Sequence, residues 1–462
     1  MAEYDVVITG GTVAGAGATG LSDVAVKDGK VAAIGLTGSF RDAARSIDAG
    51  GMFVVPGGVD PHVHSATSLG EFDSLDSFAQ STSAAAWGGT TSFVDFAIPQ
   101  PQGVQGSLEC AEERMELARD AVVDVAFHAC IASGDEKSLH EIETLAKRGL
   151  TTVKVFTIYK GLVMLDLEEI FACMRATAAV NGMLLVHAES PHLIEPLRAE
   201  FAARGETDAL HHARSRPLNS EVDMVRTIID MLRLTGCQAY IVHVSVPESV
   251  RAIEEARMQG VRVWAETCPH YVLLDDDVYA GQNGELYICS PPIRPRNVTS
   301  ELWDLVCAGF VQLWGSDHCC YDSGQKFKYR GDFQKVPNGL PGIELRAPLL
   351  FSEGVMKGRI SLEQFVTLSA TNPAKLNGLH PRKGSLAVGS DADIAIYDPD
   401  VHRTIHAGNL HMATDYTPFE GMALRGWPAT VLSRGRVVVD AGEFLGEPGW
   451  GEVMATGQPN AV

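Results

Sequence analysis

The central part of the chain alternates short β-branched or aliphatic runs with longer helical segments, and this alternation constrains the fold more than any other feature. Helical segments such as Leu167–Ala179 and Glu221–Leu234 separate the runs. Eight β/α units of this kind predict an α/β fold with a (β/α)₈ TIM barrel over residues 53–384. The runs predict strands at Phe53–Val59, Thr90–Phe96, Val122–Ala129, Thr151–Thr157, Leu184–His187, Tyr240–Val244, Val261–Glu266 and Val311–Trp314.

A doubly wound open sheet is the alternative that the same alternation allows. Dinucleotide-binding sheets of that kind carry a Gly-x-Gly-x-x-Gly turn after the first strand. In this chain the first predicted strand is followed by Asp60-Pro61-His62-Val63-His64, without such a glycine fingerprint. The barrel is therefore the favoured interpretation.

The two ends of the chain have a different texture, with short strands divided by glycine turns. Neither end has enough strands for a stable sheet of its own. We therefore expect residues 1–52 and 385–462 to pair into one small β-sandwich domain beside the barrel. Its predicted strands are Tyr4–Thr9, Asp23–Lys27, Lys30–Ile34, Ala392–Tyr397, Ala429–Ser433 and Arg436–Val439.

Charge and cysteine usage narrow the class of protein. The 462 residues include 37 basic and 58 acidic side chains, a net charge of −21, which disfavours nucleic acid and anionic membranes as partners. No apolar run reaches the roughly 20 residues of a membrane span, and Met1-Ala2-Glu3-Tyr4-Asp5 lacks the basic start of a signal peptide. The nine cysteines include no Cys-x-x-Cys pair and indicate reduced thiols in a cytoplasmic protein.

Side chains that bind metals stand where the predicted strands end. His62 and His64 are two positions apart, so on a strand both imidazoles point to the same side and can reach one cation, although such a pair can also simply form hydrogen bonds. In a barrel the carboxyl ends of all strands share one rim, where buried polar groups can satisfy one another around a metal. Further candidates follow in or after later strands, namely Lys154, His187, His243 and Asp317.

These residues lie in motifs that resemble the cyclic amidohydrolases of the dihydropyrimidinase and hydantoinase group, within the amidohydrolase superfamily. The resemblance runs nearly end to end. It rests on Pro56-Gly57-Gly58-Val59-Asp60-Pro61-His62-Val63-His64, Lys154-Val155-Phe156-Thr157-Ile158-Tyr159, Val186-His187-Ala188-Glu189, Ile241-Val242-His243-Val244-Ser245, Cys289-Ser290-Pro291-Pro292, Gly315-Ser316-Asp317-His318-Cys319 and Pro337-Asn338-Gly339-Leu340-Pro341-Gly342.

The resemblance implies a centre of two divalent metal ions, usually Zn²⁺. By that likeness His62, His64 and Asp317 hold one ion and His187 and His243 the other. Lys154, after reaction with CO₂ to a carbamate (N6-carboxylysine), bridges both.

Three interpretations of Lys154 are open from the residue itself. They are an ion pair with a strand-end carboxylate, Schiff-base chemistry, and a carbamate that binds metal. A free ammonium cannot ligate a cation, whereas a carbamate is anionic and offers one oxygen to each of two metals. Four histidines and Asp317 in the same set favour the carbamate.

The resemblance also implies catalytic and substrate-binding residues. Tyr159 matches a tyrosine beside the scissile carbonyl, where its phenol would donate a hydrogen bond to the oxyanion, and a pocket-lining aromatic is the alternative role. Asp317 would also take a proton from the attacking hydroxide and pass it to the departing ring nitrogen. Ser290 and Asn338 match positions whose main-chain groups hold the ring imide.

The activity implied is the hydrolytic opening of cyclic ureides, 5,6-dihydropyrimidines and 5-substituted hydantoins, to N-carbamoyl amino acids by a hydroxide that bridges two metal ions. Dihydroorotases and allantoinases are the enzymatic alternatives. Dihydroorotases commonly place an arginine two residues after the second histidine, where this chain has Ala66. The loop that follows contains Glu71, Asp73 and Asp76 but no Lys or Arg, so we expect a mouth that suits a neutral ring.

A non-enzymatic alternative also exists, because relatives in neural tissue keep the barrel as signalling scaffolds after losing metal ligands. Here every ligand position is filled. The resemblance further implies a homotetramer. Leu69 and Phe156 are expected in an apolar wall of the pocket, Glu189 is expected either beside His187 or in an ion pair at the rim, and the pair His211-His212 is predicted to lie on the surface.

Overall fold

The computed structural model describes residues 2–15, 17–99 and 105–462. Strands are numbered in chain order: β1 Tyr4–Val13, β2 Gly20–Lys27, β3 Lys30–Gly35, β4 Ala43–Asp48, β5 Phe53–Pro56, β6 Gly58–Val63, β7 Ser68–Leu69, β8 Phe72–Asp73, β9 Thr90–Ala97, β10 Asp124–Cys130, β11 Thr152–Phe156, β12 Met183–His187, β13 Gln238–Ile241, β14 Val263–Thr267, β15 Leu313–Trp314, β16 Ile394–Thr404, β17 Ala423–Ser433, β18 Arg436–Asp440 and β19 Glu443–Phe444.

The helices lie mainly between the strands of the central region. They are α1 Phe78–Trp87, α2 Ser107–Leu117, α3 Glu136–Lys147, α4 Leu167–Ala179, α5 Pro191–Arg204, α6 Ala209–Arg214, α7 Leu218–Thr235, α8 Pro247–Met258, α9 His270–Leu273, α10 Arg296–Cys307, α11 Ser323–Phe327, α12 Arg346–Leu350, α13 Leu362–Val366 and α14 Asn372–Leu376. Within the described ranges, no helix has both the length and the apolar character needed to cross a membrane.

One sheet forms the predicted barrel. Its strands follow the order β6-β9-β10-β11-β12-β13-β14-β15, and each neighbouring pair is parallel. The outer strands meet through a parallel bridge between Val63 and His318 and a 2.8 Å hydrogen bond from the His64 amide to the His318 carbonyl. The buried carboxylate of Asp60 accepts a hydrogen bond from the Ser316 amide at 3.1 Å across the same seam. The barrel expected from the strand and helix pattern is thereby confirmed.

The predicted first strand, Phe53–Val59, is wrong in its bounds because it is divided between two sheets. The segment β5 pairs with β1 and β16 in the sheet of the chain termini, and the first barrel strand β6 begins only at Gly58. The turn residue between them, Gly57, lies against Thr91, and a Cβ at this position would come within 2.1 Å of the Thr91 Oγ1. The other seven predicted strands each overlap an observed barrel strand.

Strands from both ends of the chain build the second sheet, in the order β19-β18-β17-β16-β5-β1-β2-β3, with β4 beside β1. The antiparallel pair β5 and β16 joins the two ends, and Val6, Val24, Ile394 and Leu432 are buried in one apolar cluster. This separate sheet fits the predicted β-sandwich. The division into domains at residues 1–52, 53–384 and 385–462 stays a prediction.

A buried ionic cluster connects the barrel to the sheet of the termini. The Lys383 ammonium lies 2.8 Å from Asp391 and 2.7 Å from Asp393, just before β16, and it also contacts Asp124 in barrel strand β10. All four side chains are almost completely buried. Without the lysine, three carboxylates would remain in a space with little water, which is strongly unfavourable.

Replacing this lysine should destabilise the fold. We expect Lys383→Met to lower the free energy of unfolding by about 3–5 kcal/mol, because among the described residues Lys383 is the one cation paired with the buried Asp393 carboxylate. The exposed pair of Lys147 and Glu143 provides a control, and Lys147→Met should cost less than about 1 kcal/mol. Urea unfolding followed by circular dichroism measures both, and equal losses would contradict the assignment.

Candidate active site

The six side chains predicted to bind metal meet at the carboxyl-terminal ends of the barrel strands and line one cavity of about 420 Å³. His62 and His64 lie at the end of β6, Lys154 lies in β11, and His187 is the last residue of β12. His243 and Asp317 follow β13 and β15. The structure therefore brings together all of the residues that the strand-end pattern selected.

Within this set, His62, His243 and Asp317 each offer a ligand atom within 4.8 Å of the other two. The Nε2 atoms of His62 and His64 lie 3.0 and 3.4 Å from Oδ1 of Asp317. The ring of His187 packs against that of His243 with 4.5 Å between their centres. Imidazole nitrogens and a carboxylate in one small space are the donor set of Zn²⁺ and similar ions.

Lys154 is fully buried, and its Nζ has no hydrogen-bond partner in the structure. The Nζ lies 4.9 Å from the ring centre of Phe96 and 4.7 Å from that of Phe156. Burial lowers the pKa of Lys154 to about 8. An ammonium enclosed by aromatic rings and histidines, without a direct carboxylate partner, is unfavourable, so the observed surroundings do not support the ion-pair interpretation of this lysine.

Two buried glutamates orient histidines of the cluster. Glu266 Oε1 lies 2.7 Å from Nδ1 of His62, and Glu189 Oε2 lies 2.7 Å from Nε2 of His187. Arg216 donates to the same Glu189 oxygen at 2.8 Å. A carboxylate on one imidazole nitrogen fixes the ring and leaves the other nitrogen as a ligand. Burial acts against a charged His62, but Glu266 and Asp317 outweigh it and raise the pKa of His62 to about 9.

From sequence alone the role of Glu189 was open, and neither Glu266 nor Arg216 was selected as a site residue. Glu189 satisfies both of its expected roles, because it contacts His187 and pairs with Arg216. Glu266 lies inside barrel strand β14, where a carboxylate in an otherwise apolar run was a usable signal. Arg216 precedes α7, outside any strand, and no local pattern distinguished it.

The main chain at three site residues adopts a left-handed conformation that is unusual for side-chain-bearing residues. The φ angles are 69° at Tyr159, 41° at His243 and 49° at Asp317. Such a backbone costs about 1–3 kcal/mol per residue and tends to occur at functional sites. In this protein it occurs at three residues that face the same cavity.

The residues expected to contact substrate line the same cavity as the metal-type residues. The Ser290 hydroxyl donates a hydrogen bond to Oδ1 of Asn338 at 3.1 Å, and the Tyr159 ring centre is 5.8 Å from that of His187. Burial raises the pKa of Tyr159 to about 12, so its phenol keeps a proton to donate at neutral pH. Leu69 and Phe156 are also in the cavity wall, as predicted.

Comparison with known proteins decides the family. Residues 53–438 match the profile of the amidohydrolase family. The chain belongs to this family. It is 40% identical over 461 residues to a D-hydantoinase of Geobacillus stearothermophilus, a match that covers 99% of this chain and 97% of the relative.

Solved structures of similar proteins extend the match to the whole fold. The dihydropyrimidinase from Brevibacillus agri NCHU1002 superimposes on this amidohydrolase with a TM-score of 0.95 at 40% identity, covering 99% of each chain. An L-hydantoinase (dihydropyrimidinase) from Arthrobacter aurescens has a TM-score of 0.90 at 32% identity and covers 98% of this chain and 100% of its own. The resemblance to the dihydropyrimidinase and hydantoinase group is thereby confirmed.

Two expectations about the surroundings of the site are wrong. The pair His211-His212 is buried, and His212 lines the cavity while its Nε2 donates to the Cys289 carbonyl at 2.7 Å. The sequence of α6 is polar, but its two histidines are buried in the protein. The local polarity of the sequence did not reveal this burial.

The acidic mouth expected from the loop after His64 is wrong for two of its three carboxylates. Asp76 is buried and accepts a hydrogen bond from His318 Nε2 at 2.5 Å, while Glu71 pairs with Lys328. Asp73 remains exposed. The cavity lining carries both signs of charge, with Lys160, Arg198 and Lys335 beside Glu71 and Glu195, and Arg198 pairs with Glu195.

The ion pair of Glu189 with Arg216 gives a stability prediction. We expect Glu189→Gln to lower the free energy of unfolding by about 3 kcal/mol, because the Arg216 guanidinium stays buried without a counter-charge. The more exposed pair of Glu195 and Arg198 is the matched control, and Glu195→Gln should cost less than about 1 kcal/mol. Chemical unfolding of protein treated with a chelator checks both variants, and a Glu189→Gln protein as stable as the control would refute the role.

Proposed function

We propose that this chain is a hydrolase that opens cyclic ureides, 5,6-dihydropyrimidines and 5-substituted hydantoins, and releases N-carbamoyl amino acids. One observation carries the proposal: four histidines, Asp317 and the unpartnered Lys154 converge on one cavity at the barrel rim. The similar proteins, which match nearly the whole chain, are named D-hydantoinase and dihydropyrimidinase, and these names support this reaction class. They also favour it over dihydroorotase or allantoinase activity.

The residues present fit a centre of two divalent metal ions. Nδ1 of His64, Nδ1 of His243 and Nζ of Lys154 are buried without hydrogen-bond partners, which is costly unless another group completes them. We propose Zn²⁺, which nitrogen and oxygen ligands suit. Its ligands would be His62, His64 and Asp317 for one ion, His187 and His243 for the other, and Lys154 as a CO₂-derived carbamate for both. Bound ions of this kind activate water and polarise a carbonyl.

The chain's own side chains supply the remaining chemistry. The Tyr159 phenol would donate a hydrogen bond to the carbonyl oxygen as it gains charge. Main-chain groups at Ser290 and Asn338 would hold the ring imide and orient the scissile amide. A carboxylate oxygen of Asp317 would take the proton from the attacking water and deliver it to the ring nitrogen as the C–N bond breaks.

A substrate panel tests the proposed reaction. The purified protein, loaded with Zn²⁺ in the presence of bicarbonate, is given dihydrouracil, hydantoin and aryl- or alkyl-substituted hydantoins, with dihydroorotate and allantoin as competitors. Chiral analysis of the N-carbamoyl products defines the selectivity. Faster opening of dihydroorotate or allantoin would contradict the choice, and a protein that binds no metal and ignores bicarbonate would support the scaffold alternative.

The finer properties of the protein are proposed on separate observations. All nine cysteines are free, and all but Cys307 are buried, which supports a reducing compartment such as the cytoplasm.

We propose a homotetramer on the strength of the family resemblance. Light scattering after gel filtration measures the assembly.

Removal of the proposed bridge should separate metal loss from folding loss. We expect Lys154→Ala to fold, to bind fewer ions than the wild type, and to lose nearly all ring-opening activity, because the histidines lose an anionic ligand that reaches both ions. Short carboxylic acids added to the variant should restore part of both the metal content and the activity. Elemental analysis and the ring-opening assay check this, and ¹³C NMR of wild type prepared with ¹³C-labelled bicarbonate should show the carbamate carbon. Full metal content without rescue would contradict the carbamate.

The tyrosine should affect the chemical step. We expect Tyr159→Phe to lower kcat by about 10²–10³-fold, because a hydrogen-bond donor to the developing oxyanion is lost. The metal content should not change. Tyr329→Phe, which removes a phenol outside the cavity, is the control and should keep full kcat. Steady-state kinetics on hydantoin measures both, and a Tyr159→Phe enzyme with normal kcat would assign this ring to the pocket wall alone.

A further inference from the structure

A second buried lysine lies next to the cavity but outside the set of metal-type residues. Lys326, in α11, is fully buried, and its Nζ donates hydrogen bonds to the carbonyl of Ile288 at 2.7 Å and to the carbonyl of Pro337 at 2.8 Å. These two carbonyls belong to segments that are far apart in the chain. Lys326 therefore joins two loops through one ammonium group.

The two loops are those that carry the proposed imide-binding positions. Ile288 is two residues before Ser290, and Pro337 directly precedes Asn338. The loops also meet through the Gly339 amide, which donates to the Ile288 carbonyl at 3.1 Å, and through the hydrogen bond from Ser290 to Asn338 at 3.1 Å. The lysine is fully buried, whereas Ser290 is 7% exposed.

Gly339 packs tightly against a third segment of the chain, and this packing restricts the spacing of the two loops. Its φ is 151°, and a Cβ there would come within 2.7 Å of Cys319 Cβ and 3.0 Å of the Tyr321 ring. The main chain of this segment therefore packs directly on the residues that follow Asp317. A small change in the spacing of the two loops would change where their main-chain groups point into the cavity.

Lys326 makes no ion pair with a described carboxylate. Its other neighbours are the Tyr321 ring at 5.7 Å and the thiols of Cys289 and Cys319. Burial lowers the pKa of Lys326 to about 7. A methionine of similar length would fill this space without the cost of burying an amine. What lysine provides here and methionine does not is a pair of directional N–H donors to the two carbonyls.

We propose that Lys326 is a positioning residue for substrate binding, which fixes the spacing of the Ser290 and Asn338 loops so that their main-chain groups meet the ring imide. The inference rests on the proposed function. Bonds to the imide are made in the ground state and kept in the transition state, so their loss raises KM and leaves kcat nearly unchanged. A residue of the metal centre would instead change kcat and the metal content.

The test compares Lys326→Met and Lys326→Gln with the wild-type holoenzyme. We expect Lys326→Met to raise KM for hydantoin and dihydrouracil by about tenfold or more, with kcat within about threefold and with unchanged metal content. The Lys326→Gln variant keeps N–H donors on a shorter side chain, so its KM should lie between the two. Lys357→Met, at an exposed lysine, is the control for the substitution itself and should match the wild type.

The role of an individual connection can be separated with a double-mutant cycle. Ser290→Ala removes a hydroxyl that donates to Asn338 and also contacts the Tyr159 phenol, but it leaves the main chain of the loop, so the cycle compares KM and not kcat. If Lys326 and this hydroxyl set the same loop spacing, the KM effects of the two substitutions should not be additive. Additive effects would mean that the lysine acts elsewhere and would overturn the proposal.

Each remaining outcome has a defined meaning. An unchanged KM in Lys326→Met overturns the positioning role and leaves the proposed function intact. A parallel loss of kcat and metal, or failure of both variants to fold, assigns the lysine to stability and also overturns it. A metal-loaded wild type that opens none of the rings refutes the proposed function itself, and the positioning role is refuted with it.

Discussion

Closure of the barrel is the constraint on which the rest of the structure depends. The Ser316 hydroxyl donates to the His62 carbonyl at 3.0 Å, and the His64 amide donates to the His318 carbonyl at 2.8 Å. Asp317 lies between Ser316 and His318, so the bonds that join the first and last strands also hold its carboxylate beside both histidines. The left-handed backbone at Asp317 is maintained by these flanking bonds. Fold and site are thus specified by the same few contacts.

Three fully buried lysines show how surroundings, and not residue type, decide what an amine does. Lys383 lies among three carboxylates that raise its pKa, and it is a structural cation. Lys326 contacts carbonyl oxygens and orders two loops. Lys154 has aromatic faces and histidines around it, and its Nζ has no hydrogen-bond partner among the described residues. From sequence alone only Lys154 was selected, because it lies in a predicted strand.

The strand pattern predicted the barrel and the six rim residues because both depend on local periodicity and on where each strand ends. It failed where the outcome depends on packing between distant segments. The apolar run from Phe53 to Val59 carried no sign that the chain changes sheets at Gly57. The acidic residues of the loop after His64 did not show that Asp76 is buried and hydrogen-bonded to His318, 242 residues away. Arg216 and Lys326 were missed for the same reason, since their partners are remote in sequence.

The short step at Gly57 makes the sheet of the termini and the barrel mechanically continuous. The strand β5, which is held between the two ends of the chain, leads through a single tightly packed glycine into the strand that carries His62. Only Gly57 separates β5 from β6, so no flexible linker lies between the two sheets. A cargo protein fused to the N-terminus would load this sheet directly, and distortion there would reach the imidazole of His62 along one strand. Fusions with long flexible spacers should therefore preserve the geometry of the rim better than direct ones.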